Sequence, residues 1–258
     1  MKPENIEEDR RRRRGIYLLP NLFTTAGLFA GFYAIVAAMK GMYDLAAVAI
    51  FVAMIMDTLD GRVARLTNTQ SAFGAEYDSL SDMTTFGIAP ALVVFSWSLA
   101  NLGKLGWLAA FCYAAAGALR LARFNTQLGK ADKRYFQGLP IPSAAGIIAS
   151  MVWIASEAGI AGGDFDILVA VITVIVAILM VSNIRYHSFK QVDLKGRVPF
   201  VAVLLIVLIF VSISLDPPKV LGLIFFGYGL WGPIFTLWCL RKARQHRRHG
   251  QHSIDSKN

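Results

Sequence analysis

Four aspartates stand at fixed intervals between Asp57 and Asp82, in the stretch DTLDGRVARLTNTQSAFGAEYDSLSD. On a helix, Asp57, Asp60, Gly61 and Ala64 fall at i, i+3, i+4 and i+7 and share one face, and Asp78 and Asp82 share another at i, i+4. Two helices therefore each offer a pair of acids. The surrounding chain is strongly apolar, and a carboxylate at membrane depth costs about 2.5 to 3.5 kcal/mol on insertion scales, so the four require compensation. Oxygen donors without a nearby His or Cys favour a hard divalent cation such as Mg²⁺, Mn²⁺ or Ca²⁺ over zinc. Two such ions about 3.5 to 4 Å apart suit phosphoryl chemistry, because they clamp both the attacking and the leaving oxygen. Gly61 and Gly74 let a phosphate or nucleotide come close to the backbone, Ala64 keeps that face shallow, and Arg65 can neutralise phosphate charge.

The elements that must position these residues are membrane helices. The 258 residues are 55% hydrophobic, with a mean hydropathy of +0.51, above what a soluble domain carries. Eight apolar segments of spanning length can be drawn, at approximately 17–39, 42–64, 78–99, 105–127, 142–159, 165–183, 199–215 and 219–240. The fifth and seventh are short. The expected fold is an all-α, polytopic membrane helix bundle of about eight transmembrane helices. Residues 1–14 form a basic cytoplasmic tail, 15–241 a single integral membrane catalytic domain, and 242–258 a second basic tail. The apolar run after the five arginines is long and lacks a small-residue cleavage site, so it reads as a retained first helix rather than a signal peptide.

Along this layout, 23 of the 26 Lys and Arg residues fall on one side, leaving Lys40, Lys104 and Lys219 opposite. The positive-inside rule then puts both termini and the acidic stretch on the cytoplasmic side of the inner membrane. This asymmetry explains the net charge of +9, and nucleic-acid binding is unnecessary to account for it. Cys112 and Cys239 both lie in apolar segments and read as packing residues.

The turn from the second helix into the third is expected over 66–77, with Asp78 and Asp82 opening the third; Gly87 and Pro90 should then loosen or bend it beside the site. Pro20, Asn21, Thr24 and Thr25 make a polar entrance to the first helix, and Ser143 can cap the fifth. Asn21 and Thr24 share a face and suit either interhelical hydrogen bonding or a substrate-lining role. Arg120 and Arg123 stand at i, i+3, and Arg185 and Lys190 follow the sixth segment. Each reads either as a headgroup-facing charge or as part of a basic pocket for a phosphate or a carboxylate. The last two segments carry nothing that connects to chemistry and read as scaffold or dimer surface.

Asp57, Asp60, Gly61, Ala64, Arg65, Gly74, Asp78 and Asp82 match, without departure in identity or spacing, the signature D-x2-D-G-x2-A-R-x8-G-x3-D-x3-D. On these residues the chain resembles the CDP-alcohol phosphotransferases, integral membrane enzymes that move a substituted phosphate from a CDP-linked donor to an alcohol and release CMP. The strings RLARFN, F-x-GLPIPSAA and SNIRYHSFK look like the bacterial and archaeal phosphatidylserine synthase branch of that family. The resemblance implies transfer of a phosphatidyl group from CDP-diacylglycerol to L-serine. It implies Mg²⁺ or Mn²⁺ held by Asp57, Asp60, Asp78 and Asp82, and Asp82 as the base that takes the serine proton, with Arg65 assisting departure of CMP. The CDP moiety is expected along Asn21, Thr24, Gly61, Ala64, Arg65 and Gly74. The serine carboxylate is expected on one of Arg120, Arg123, Arg185 or Lys190, membrane lipids around the bundle, and a homodimer as the assembly. Within the same class, glycerol 3-phosphate, inositol phosphate or an archaeal ether-lipid substrate is the alternative. From another class, an ion-coupled transporter could also use intramembrane acids, although all four aspartates cluster at one membrane face.

Overall fold

The computed structural model describes residues 3–127, 135–187 and 200–255. Helix α1 runs Pro3–Met39 and α2 Tyr43–Leu66, with a tight turn at Gly41, whose φ of +75° is one that glycine adopts without strain. The polar PNLFTT segment thus lies inside a continuous helix instead of at its entrance, and helix already begins within the basic N-terminal tail. Thr24 and Thr25 turn their hydroxyls back onto the Pro20 and Asn21 carbonyls. Pro20, which has no N–H to donate, sits inside this helix.

α1 and α2 pack along their length through a seam of alanines, including Ala34, Ala37, Ala46, Ala47 and Ala53, all fully buried or nearly so. Small side chains let the backbones approach, which is how helices associate where lipid supplies no hydrophobic contrast. The chain then turns through Thr67–Ser71 into α3 (Ala72–Asp82), a single π turn (Met83–Ile88) and α4 (Ala89–Trp97), together one 26-residue apolar rod. The connection is shorter than the sequence pattern predicts because Ser71 caps α3, its Oγ accepting from the Gly74 N–H at 3.0 Å. Asp78 and Asp82 are therefore the seventh and eleventh residues of α3, well inside the helix. The favourable field of a helix N-terminus does not account for either.

A short 3₁₀ turn (Leu99–Leu102) leads to α5 (Lys104–Gln127). Strand β1 (Tyr135–Gln137) pairs antiparallel with β2 (Arg185–His187), and between them lie α6 (Ile141–Glu157) and α7 (Asp166–Val181). α6 starts after Pro140 without a side-chain cap, so Ser143 sits in its first turn rather than at the cap. α8 (Phe200–Leu215) and α9 (Pro217–Asp255) complete the described chain.

Each of the eight apolar segments corresponds to a helical rod. Four stretches, Leu19–Met39, Ala72–Trp97, Lys104–Thr126 and Pro217–Thr236, are both long and apolar enough to cross a membrane. α2 has the length but carries three aspartates and two arginines, whereas α6, α7 and the apolar part of α8 are shorter.

The core lies between α1, α2, α4, α5 and α6. α9 joins it across α6, with the Phe225 ring 5.9 Å from Phe51 of α2, and Gly222 and Gly229 against Ile154 and Ile147. The eighth segment is thus part of the packed body. Most of α8 is exposed, as a lipid-facing helix is. Cys112 is exposed as well, facing out of the bundle instead of packing within it; the Cys239 side chain lies outside the described residues.

The π turn is clamped from two sides. A Cβ on Gly31 of α1 would stand 2.7 Å from Thr85 Oγ1 and 2.8 Å from Thr85 Cα, and Gly117 of α5 faces the Gly87 Cα. The small residues at 114–118 thus serve packing within the subunit at Gly117. Gly31→Ala forces the π turn away from α1, an overpacking cost of about 1 to 3 kcal/mol. We expect a lower melting temperature in detergent and loss of activity together; a melting temperature equal to wild type would show that α1 and the π turn are not tightly apposed.

Candidate active site

Asp57 and Asp60 project from the C-terminal half of α2, and Asp78 and Asp82 from α3. All four line one cavity, together with Thr24 and Gly27 of α1, Ala53 of α2, Ser81 of α3, and Thr85 and Phe86 of the π turn. Carboxylate oxygens of Asp57, Asp60 and Asp78 lie within 4.8 Å of one another. Asp82, one helical turn beyond Asp78, is outside that trio; its carboxyl is within hydrogen-bonding reach of Asp57 and in electrostatic contact with Asp78 and Asp60. Asp60 is buried and accepts a hydrogen bond from Thr24 Oγ1 at 2.8 Å. Thr24 therefore bridges α1 and α2 and lines the cavity.

Neighbouring helices hold the acids in place through α3. Ser81 Oγ donates to the Thr24 carbonyl at 3.3 Å, and the Thr25 and Tyr77 hydroxyls are 2.9 Å apart. From the other flank, Asn125 Nδ2 of α5 donates to Ser79 Oγ at 3.1 Å, and the fully buried Tyr113 donates to the Phe86 carbonyl in the π turn at 3.1 Å. α3 is thus tied to α1 and α5 by polar contacts that flank both aspartates.

The glycine face expected to receive a nucleotide is open at Gly61, whereas at Gly74 a Cβ would stand 3.1 Å from Ser71 Oγ. A Cβ on Gly61 would meet only the Arg65 guanidinium, at 4.0 Å, and Arg65 itself is exposed. At Gly74 a Cβ would stand 3.5 Å from Asn21 Oδ1, so Asn21 borders the same face, and Ala64 is half-buried beside it. Asn21, Gly61, Ala64, Arg65 and Gly74 thus lie at the outer end of α2 and α3, next to the acidic cavity.

The four basic residues separate. Arg120 of α5 is buried and lies in the electrostatic reach of Asp82 and of the Tyr228 hydroxyl on α9; its Nε has no hydrogen-bond partner among the described residues. Arg123 instead donates to the Val181 carbonyl and to Asn183 Oδ1, at 3.1 and 3.0 Å, fastening the end of α7 to α5. The backbone of Arg185 lies in β2; its side chain and all of Lys190 are outside the described residues.

Tyr228 is a neighbour that sequence reasoning missed. It comes from α9, read as scaffold, and is brought to Arg120 by a dock around Tyr186 of β2. The Tyr186 hydroxyl donates to the Gly229 carbonyl at 3.1 Å, the two tyrosine rings are 5.4 Å apart, and Gly232 leaves room for the Tyr186 ring. The signal was present in the small-residue spacing of Gly222, Gly229 and Gly232, which marks a packed helix face, but its partner could not be read from it.

The donor set suits a hard divalent cation: oxygen ligands only, three carboxylates close enough to share an ion, and a fourth adjacent. Matching the geometry, the chain fits the family model of CDP-alcohol phosphatidyltransferase over residues 17–184. It is 37% identical over 228 residues to a CDP-diacylglycerol–serine O-phosphatidyltransferase of Helicobacter pylori, covering 88% of this chain and 94% of that protein. The similarly named protein of Bacillus subtilis is 33% identical over 173 residues, covering 67% of this chain and 92% of that one. A Methanocaldococcus jannaschii protein of the same name is 34% identical over 142 residues, 55% of this chain and 63% of that protein. The chain belongs to the CDP-alcohol phosphatidyltransferase family.

Because Ser71 sets the start of the helix that carries Asp78 and Asp82, Ser71→Ala should destabilise the protein by about 1 kcal/mol. Thermal unfolding in detergent reads this directly; an unaltered melting temperature would mean the cap does not hold α3.

Proposed function

We propose that this protein transfers the phosphatidyl group of CDP-diacylglycerol to the hydroxyl of L-serine, giving phosphatidylserine and CMP. The observation that carries the reading is the convergence of Asp57, Asp60, Asp78 and Asp82 on one cavity next to the open surface at Gly61. The serine specificity is supported by the names of the relatives, one of which is similar across most of the chain.

The donor enters from the inner leaflet, with its cytidine and diphosphate along Asn21, Thr24, Gly61, Ala64, Arg65 and Gly74. Asp57, Asp60 and Asp78, with Asp82 adjacent, would hold Mg²⁺ or Mn²⁺, which when bound supplies Lewis-acid stabilisation of phosphate charge. Asp82 takes the proton from the serine hydroxyl, whose oxygen forms a bond to the phosphorus bearing diacylglycerol. The bond from that phosphorus to the CMP oxygen breaks, and the electron pair leaves with CMP. Arg65, exposed at the outer end of the site, meets the negative charge that develops on the leaving phosphate. Arg120 is the partner for the serine carboxylate: it is buried and close to Asp82, with no partner for its Nε among the described residues, whereas Arg123 is engaged with α7.

In the same reading all eight apolar segments cross the inner membrane, with the site and both basic tails on the cytoplasmic side. The assembly is a homodimer, surrounded by membrane lipids.

CMP release by purified protein in detergent, with CDP-diacylglycerol and either serine, glycerol 3-phosphate or inositol phosphate, tests the reaction. Release that requires both serine and Mg²⁺ or Mn²⁺ is expected, and Asp82→Asn should lower kcat at least about a hundredfold. Release with another alcohol instead would overturn the serine assignment, and near wild-type turnover of Asp82→Asn would overturn the assignment of the base.

A further inference from the structure

Threonines inside helices ordinarily satisfy their hydroxyl on the carbonyl one turn back. Thr25, Thr58, Thr84 and Thr173 all do so here, and Thr24 donates to Asp60. Thr85 does not. It is only 2% exposed, and its Oγ1 has no hydrogen-bond partner among the described residues. It falls in the π turn, where the Ala89 N–H reaches back to the Thr84 carbonyl, and it lines the acidic cavity three residues beyond Asp82. A buried hydroxyl without a partner costs stability, and the cheapest remedy, replacement by the isosteric Val, is a single substitution away. Such a group in a native structure calls for a partner, which is a water, an ion or a ligand.

The acceptor in the proposed reaction has three polar groups. Its hydroxyl must reach Asp82, and its carboxylate is assigned to Arg120, which leaves an ammonium that needs an acceptor of its own; Thr85 lines the cavity that Asp82 also lines. We propose that Thr85 is a specificity-determining residue whose Oγ1 accepts a hydrogen bond from the ammonium of the amino-acid acceptor. This rests on the serine reading above. Together with Asp82 and Arg120 it makes a three-point attachment, which a site needs to tell an amino acid from an alcohol of similar size lacking the amine. The Oγ1 is closed off from bulk water, so its lone pairs are free to accept from an ammonium without giving up a bond to water.

The test compares wild type, Thr85→Val and Thr85→Ser in detergent, with serine as acceptor and 3-hydroxypropionate, which is serine without its ammonium, as competitor. Thr85→Val should raise the KM for serine about tenfold or more, leave the KM for CDP-diacylglycerol within about twofold, and leave inhibition by 3-hydroxypropionate as in wild type. Thr85→Ser should recover most of the lost serine affinity. The ligand-free Val variant should melt no lower than wild type, because it removes an unsatisfied buried group, and should show a smaller rise in melting temperature with serine.

Equal weakening of serine and 3-hydroxypropionate would overturn the ammonium assignment, as would a rise in the donor's KM alone. A fall in the melting temperature of Thr85→Val would show that the hydroxyl serves the fold. An unchanged serine KM would show that it meets no part of the acceptor. If wild type itself releases no CMP with serine, the functional reading fails first, and that result is visible before any variant is made.

Discussion

Four carboxylates from two helices are held against one another inside an apolar bundle, and the rest of the molecule is built around that repulsion. Two like charges about 4 Å apart repel by about 4 kcal/mol at an effective dielectric near 20. Asp57, Asp60 and Asp78 lie within such range of one another, with Asp82 against Asp57. Left to itself, a pair of helices carrying these charges would rotate or splay. The alanine seam between α1 and α2, the Ser71 cap, the Asn125–Ser79 bond and the Thr24–Asp60 bond prevent it. The scaffold keeps the acids together, and a divalent cation is the natural counterpart to what it keeps together.

The same economy explains the π turn. One extra residue per turn shifts the register immediately after Asp82, and close apposition to Gly31 and Gly117 fixes it there. Deep side chains of the rod, Thr85 and Phe86, thereby line the cavity that the aspartates open. A regular helix would set a different pair of residues toward α1. Gly87, which reads in the sequence as a point of looseness, serves as a point of close contact instead.

Much of this was legible in the sequence because it rests on local pattern. The eight-residue signature located all four acids and their glycines, and apolar run length located every rod. What could not be read came from register and from distance along the chain. Ser71 looks like one polar loop residue among several in LTNTQS, and only its bond to Gly74 moves the start of α3 forward by six residues. Thr85 in TTFGI looks like a helix-packing threonine, and its distinction lies in a bond it does not make. Tyr228 stands more than a hundred residues from Arg120 and reaches it only because Tyr186 docks α9. The four basic candidates were equivalent by charge and membrane side; burial and hydrogen bonding distinguish Arg120 from Arg123.

We propose that α2 and α3 together make this cluster a cation site. Titration of the purified protein with Mn²⁺, followed by the loss of the free-ion electron paramagnetic resonance signal, tests it without reference to turnover. Saturable binding is expected, displaced by Mg²⁺ and lost when either Asp60 or Asp78 is replaced by Asn. Binding that is absent in wild type, or that survives both replacements unchanged, would contradict it.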